Sequence, residues 1–257
     1  MTPPISIDGT DITGATIDGT DVTEITVDGD VVFSAGPDLP ASIAHRYDPS
    51  EETFSDGATV STWTDQIGSA DGTNTGSGVK FRTNEINGEP TIELTGNTIE
   101  MSLSSGMDNP FSMSFLMHWN VESTFRHVFS TPRGGFDDDP RLRLKDDGEG
   151  NWSGGDQSNT SNISGYSPLH NQYGIVTVVA DGSNTTLRVN GSDIFTNQDA
   201  GTKGFDDGTF TLGERPGVDP PFKGFFGELN FYSAALTNTE VSDEEDRIAT
   251  KYGLTIR

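Results

Sequence analysis

Apolar residues in this chain recur at every second position, in short runs closed by glycine, aspartate or asparagine, and that pattern points to strands before any motif is considered. Phe111, Met113, Phe115, Met117 and Trp119 alternate with mostly polar residues, as a strand with one buried and one wet face requires. Ile175-Val176-Thr177-Val178-Val179 passes through Asp181-Gly182-Ser183-Asn184 into Leu187 and Val189, which reads as a hairpin. Phe225, Leu229 and Phe231 alternate again near the end. With 31 glycines and 31% apolar residues in 257, the chain suits many short strands joined by tight turns, not a helical bundle. The expected class is all-β with one short C-terminal helix. That helix opens on Thr237-Asn238-Thr239-Glu240, a capping box, and stops before Gly253. Val241, Ile248 and Tyr252 give it a thin apolar stripe, and Glu244-Glu245-Asp246 reads as compensation of the helix dipole near its N-terminus.

Residues 6–35 carry a ten-residue repeat, in which Ile7-Asp8-Gly9, Ile17-Asp18-Gly19 and Val27-Asp28-Gly29 occupy equivalent positions. Each Asp-Gly pair supplies the positive φ of a tight hairpin turn between β-branched residues, so a small antiparallel meander is expected. Some thirty residues with a handful of Ile and Val bury too little surface to stand alone. The meander must therefore pack on the main domain, on sister chains or on a larger assembly. Calcium-loaded β-helix turns are the competing reading, but those use nonapeptides with denser glycine. Gly36-Pro37-Asp38-Leu39-Pro40 breaks the periodicity and removes backbone donors, which makes it the linker. The expected division is residues 1–36, an attachment or oligomerisation module, and residues 37–257, the main domain.

Forty acidic residues against 15 basic ones give a net charge of −25, and only five of the basic residues are lysine. Such a surface repels nucleic-acid phosphates, so no nucleic-acid partner is expected. In dilute buffer it also repels itself, whereas at molar salt the Debye length falls to about 3 Å and screens the repulsion. An acid-rich, lysine-poor surface is a halophile's composition; calcium binding in an ordinary extracellular protein is the alternative. The melting temperature is expected to rise substantially from low to molar salt, and a flat response would refute the halophilic reading. The absence of cysteine removes disulfides and thiolate metal sites. No stretch approaches the roughly 18 apolar residues of a membrane span. The opening Met1-Thr2-Pro3-Pro4-Ile5 has neither the basic nor the apolar region of a signal peptide, so none is expected.

Chemistry-bearing motifs are scarce. A retaining glycosidase on a β-sheet needs two carboxylates spaced along one strand, and no strand-like run carries them. There is no His-Glu-x-x-His, no Gly-x-Ser-x-Gly and no phosphate loop, and His45, His118, His127 and His170 lack metal-ligand spacing. No catalytic residue is expected. Asp137, Asp138, Asp139 and Asp146 sit in glycine-containing loops and offer oxygen ligands for calcium, although a halophile decorates its loops with aspartate in any case. Trp152 lies among glycines, with Tyr166 following and Arg133 at the entrance of the same long loop. These three form a candidate ligand site in which the indole stacks on a sugar; packing of Trp152 beneath the loop is the alternative. Asn151, Asn159, Asn162, Asn184 and Asn190 head Asn-x-Ser/Thr acceptors, which arise readily in such loops.

Residues 43–254 resemble the concanavalin-A-like, laminin-G-like superfamily. The landmarks appear in that family's order: Tyr47-Asp48-Pro49-Ser50 and Trp63, then Asn87-Gly88-Glu89-Pro90, then the pair around Asp181-Gly182 and Val189-Asn190-Gly191, then Gly224 to Leu236, and last Lys251-Tyr252-Gly253-Leu254. The resemblance implies a two-sheet antiparallel jelly-roll sandwich, with calcium at loop rims in many members. More loosely, the N-terminal repeat resembles modules of structural proteins from tailed viruses that infect haloarchaea. Together these imply a virion surface protein, bound to other virion proteins and to copies of itself through residues 1–36, whose lectin-like domain meets host surface glycans. A cellular haloarchaeal adhesin or S-layer-associated module, and a polysaccharide hydrolase, are the alternatives. A fold of this kind does not choose between them.

Overall fold

The computed structural model describes residues 39–103, 107, 109–120, 126–130, 140–144, 149–154, 160–164, 172–199, 209–213 and 222–256, together with the strand backbone within residues 6–34. The chain divides into two compact units, Met1–Leu39 and Pro40–Arg257.

In the first unit β1 (Ser6–Ile7) pairs with β2 (Thr10–Asp11), β3 (Thr16–Ile17) with β4 (Thr20–Asp21), and β5 (Glu24–Val27) with β6 (Asp30–Ser34). The closing pairs are Ile7↔Thr10, Ile17↔Thr20 and Val27↔Asp30, so one Asp-Gly dipeptide separates the strands of each hairpin. Among the described residues these are three separate two-stranded sheets, where a continuous meander was expected.

The second unit runs through β7 (Ile43–Tyr47), β8 (Thr62–Trp63), β9 (Gly72–Asn74), β10 (Val79–Ile86), β11 (Glu89–Thr95), β12 (Ile99–Ser102) and β13 (Phe111–Trp119). It continues with β14 (Arg126–Ser130), β15 (Pro140–Leu144), β16 (Glu149–Gly154), β17 (Thr160–Ser164), β18 (Tyr173–Ala180), β19 (Asn184–Val189) and β20 (Ser192–Asp199). It closes with β21 (Thr209–Leu212), β22 (Lys223–Tyr232) and the helix α1 (Asn238–Lys251). Sheet one has the order β10-β11-β22-β13-β18-β19-β20, with β7 beside the later half of β22. Sheet two has the order β17-β16-β15-β14-β21-β12-β9-β8. Every pairing is antiparallel, and the two sheets form the expected sandwich.

Period two decides what fills the space between the sheets. From sheet one come Met113, Phe115, Met117, Val176, Val178, Phe226 and Phe231; from sheet two come Met101, Phe129, Leu142, Leu144, Phe210 and Leu212, all buried in one cluster. Phe115 meets Phe129 edge-on at 6.2 Å and Phe210 meets Phe231 at 5.0 Å, so these aromatic contacts run from sheet to sheet. Such pairs add about 0.5–1.5 kcal/mol each beyond their burial.

Strand β13 departs from expectation, because Ser112 and Ser114, on its presumed wet face, are fully buried. Helix α1 covers that face. Leu116 and Ile175 pack against Ile248, Ala249 and Tyr252, while Val179 packs with Tyr232, Leu236 and Val241. The helix starts where its capping box dictates: the Thr237 hydroxyl accepts from the Glu240 amide, and the Glu240 carboxylate accepts from the Thr237 amide. It ends before Gly253 at φ +62°, a conformation that favours glycine. Gly227 lets the helix end lie close: a Cβ there would stand 2.6 Å from Leu116 Cδ2 and 3.0 Å from the Tyr252 ring.

Candidate functional site

Carboxylates buried in a β-sandwich raise the question of catalysis. Alternation along β22 puts Glu228, Asn230 and Tyr232 on the outer face of sheet one, beneath α1. Glu244, Arg247 and Lys251 come down from the helix at i, i+3 and i+7. Arg247 donates to Glu228 at 2.5 Å and to Glu244 at 2.8 Å, and Arg46 of β7 donates to Glu228 at 3.0 Å. Lys251 reaches Glu228 at 3.2 Å and also Asp48, which in turn pairs with Arg46 at 2.5 Å. Glu244 accepts further bonds from Ser114 at 2.7 Å and Asn230 at 2.8 Å. Beside this network Glu245 is fully buried and takes both arms of Arg188, at 3.0 and 3.1 Å.

Burial by itself opposes the charge on Glu228, but Arg247, then Lys251 and Arg46, outweigh it and hold the carboxyl well below the usual carboxylate range. A carboxylate with no exposed surface, held ionised at neutral pH, has no proton to donate there and no approach for substrate. The arrangement bolts α1 to the sheet. Glu244 and Glu245 therefore do not serve the helix dipole, as their sequence position implied; the first-turn acid is Glu240. A signal was present, since 241, 244, 245, 248 and 252 share one helical face, which places charge on the buried stripe.

His45 and Asp65 also pair, at 2.7 Å, with both side chains buried. Asp65 accepts in addition from the amides of Arg46, Gly68 and Ala70, which tie a loop to β7. Burial disfavours the Asp65 charge, yet these donors, His45 first, leave its pKa lowered. The pair is a loop clasp.

Sheet two presents a different surface. Leu142 and Leu144 point into the core, so Arg141 and Arg143 point away from it. His127 lies opposite Arg143, and Ser130 lies opposite Thr211 on the neighbouring strand. A chain of net charge −25 thus gathers two arginines and a histidine on one sheet face, beside two hydroxyls. Arg141 and His127 are 5% and 1% exposed, so the half-buried Arg143 is the member of this group that solvent reaches. Nothing in the sequence analysis singled out this group, because each arginine alone looks like an ordinary strand residue.

Trp152 must be corrected. It stands within β16, across from Leu142 on one side and Ser161 on the other, not in a loop. Its ring is 1% exposed and meets Phe129 edge-on at 6.0 Å. A ring covered by the core has no free face to offer a sugar. Tyr166, Arg133, Asp137, Asp138, Asp139 and Asp146 lie outside the described residues. Among the described residues no three His, Asp or Glu side chains come together as a metal site, and no helix is long and apolar enough to cross a membrane.

The profile of the concanavalin A-like lectin/glucanases superfamily matches residues 93–242, and the chain belongs to that superfamily. No curated protein matches the sequence. Among solved structures, domain 4 of a GH43 extracellular arabinanase from Geobacillus stearothermophilus, in complex with arabinotriose, is similar with a TM-score of 0.55 and 20% identity. That alignment covers 79% of this chain and 97% of that one. The receptor-binding domain of botulinum neurotoxin C/D mosaic serotype is similar at a TM-score of 0.58 and 14% identity, over 80% of this chain and 51% of that one. Trypanosoma rangeli sialidase reaches 0.62 at 12% identity, over 91% of this chain and 36% of its own length. The chain therefore spans about half of the toxin domain and about a third of the sialidase. The likeness is one of fold, and the fold serves glycoside hydrolases and non-enzymatic binding domains alike.

Proposed function

We propose that this chain is a non-catalytic glycan-binding protein of a virion surface, from a virus whose host lives in concentrated salt. Residues 1–36 attach it to other virion proteins and to copies of itself, and residues 37–257 engage host surface glycans. The observation that supports the binding half is the half-buried guanidinium of Arg143 on the outer face of sheet two, flanked by the covered His127 and Arg141. Guanidinium forks hold hydroxyl and carboxylate oxygens in fixed directions, which is what recognition of a sugar chain demands. The carboxylates of Glu228, Glu244 and Glu245 are occupied by arginine and lysine, which weighs against a hydrolase. The arabinanase domain solved with arabinotriose lends support from the fold. The attachment half draws on the three short hairpins, whose two- to five-residue strands leave edges that invite pairing with another chain.

A glycan array at molar salt tests this reading on wild type and Arg143→Ala. Wild type is expected to retain at least one glycan class, and the variant to lose about tenfold in affinity, the worth of one charge-assisted hydrogen bond. An array without signal removes the binding function. Light scattering on the full chain in the same buffer is expected to report a homo-oligomer, and a monomer removes self-assembly.

A further inference from the structure

We propose that the outer face of sheet one holds a separate small-ligand site, at the foot of α1, which takes a single neutral sugar residue. A cavity of about 300 Å³ lies there, floored by β18, β19 and β20 and walled by the first turns of the helix. That volume sits at the lower end of the range for small-ligand pockets, about 300–1,000 Å³, and suits one ring better than a chain.

The lining divides cleanly in chemistry. Val179, Leu236 and Val241 form an apolar wall that belongs to the cluster under the helix. Asp193, Asn238, Thr186 and Thr196 face them with carboxylate, amide and hydroxyl groups. A sugar ring has the same two aspects: a C–H face that packs on aliphatic side chains and hydroxyls that both donate and accept.

Charge narrows the ligand class. Arg188 also lines the cavity, but four of its five N–H donors are committed: Nε and Nη2 donate to Glu245 at 3.0 and 3.1 Å, Nη2 to the Gly191 carbonyl at 2.7 Å, and Nη1 to Asp193 Oδ1 at 2.5 Å. It orients Asp193 rather than clamping a ligand anion. The Asp193 side chain remains 47% exposed, and among the described residues Arg188 donates to its Oδ1 and none donates to its Oδ2. A phosphate or carboxylate ligand would meet that oxygen as a like charge. Calcium would need six to eight oxygens, whereas the side chains of Asp193, Asn238, Thr186 and Thr196 carry five between them, one already taken by Arg188. A hydroxyl donor satisfies Asp193 Oδ2. The site is on the opposite sheet from His127 and Arg143 and does not rest on the reading of that patch.

Saturation-transfer NMR on the full chain at molar salt tests the site with the methyl glycosides of glucose, galactose, mannose and arabinofuranose. Choline chloride serves as a cationic probe. At least one glycoside is expected to bind, with about tenfold weakening in Asp193→Ala and in Asn238→Ala at unchanged melting temperature. Arg143→Ala should leave this signal intact even if it abolishes binding on the array. Binding by none of the four glycosides overturns the proposal, as does binding that survives both substitutions or disappears in Arg143→Ala. Choline binding without glycoside binding overturns the neutral-sugar assignment.

Discussion

Arg247→Ala is expected to destabilise the second unit by about 3–5 kcal/mol, the cost of leaving buried charge without its partner. Arg247 is the cation that reaches both Glu228 and Glu244. Without it Glu228 retains Arg46 and Lys251, whereas among the described residues Glu244 retains the neutral donors Ser114 and Asn230. The uncompensated charge therefore resides on Glu244, and adding Glu244→Gln to Arg247→Ala should restore part of the loss. A double-mutant cycle in denaturant melts measures the coupling. Additive effects would show that the network contributes nothing as a unit. The same geometry sets an acid limit. Glu228 has a folded-state pKa below its unfolded value, so its stabilisation is present in full above the ordinary glutamate pKa of about 4.3 and is lost as pH falls below it. Stability should decline in that acid window in the wild type, and more shallowly in Glu228→Gln.

Trp152→Ala is expected to cost about 3–5 kcal/mol, as removal of a fully packed large aromatic does. The indole is 1% exposed, belongs to the main cluster and lies edge-on to Phe129. Its loss leaves a cavity between β15, β16 and the facing sheet that these neighbours close only in part. A loop tryptophan stacked on a sugar would behave in the opposite way, with binding lost and the melting temperature unchanged. Thermal melts beside array binding separate the two outcomes, and an unaltered melting temperature would contradict the core placement.

The misreading of Trp152 has a local cause. Gly148-Glu149-Gly150-Asn151-Trp152-Ser153-Gly154-Gly155 has the composition of a turn, with no β-branched residue and glycine on both sides. What makes residues 149–154 a strand is the pairing of Trp152 with Leu142 and Ser161 on either side, and that partnership is not encoded within the segment. The serines of β13 mislead similarly. Alternation correctly placed Met113 and Phe115 inside, but Ser114 looked wet because nothing local reveals that a helix 130 residues further on delivers Glu244 to its hydroxyl.

Sequence alone determined the strand class, the hairpin from Tyr173 to Val189, the cap of α1 at Thr237 and its stop at Gly253, and the Asp-Gly hairpins of the first unit. Each depends on groups a few residues apart, where backbone conformation and period-two burial act directly. Tertiary structure decided the rest. Arg46 meets Glu228 across 182 positions, and Asp48 meets Lys251 across 203, because β7 docks beside β22 and α1 folds back over both. His127 faces Arg143 because β14 and β15 pair in one register, and a shift of one residue would turn those charges into the core. Sheet order and register are cooperative outcomes of packing two inner faces together, so the buried charges and the candidate sites exist only once the sandwich has closed.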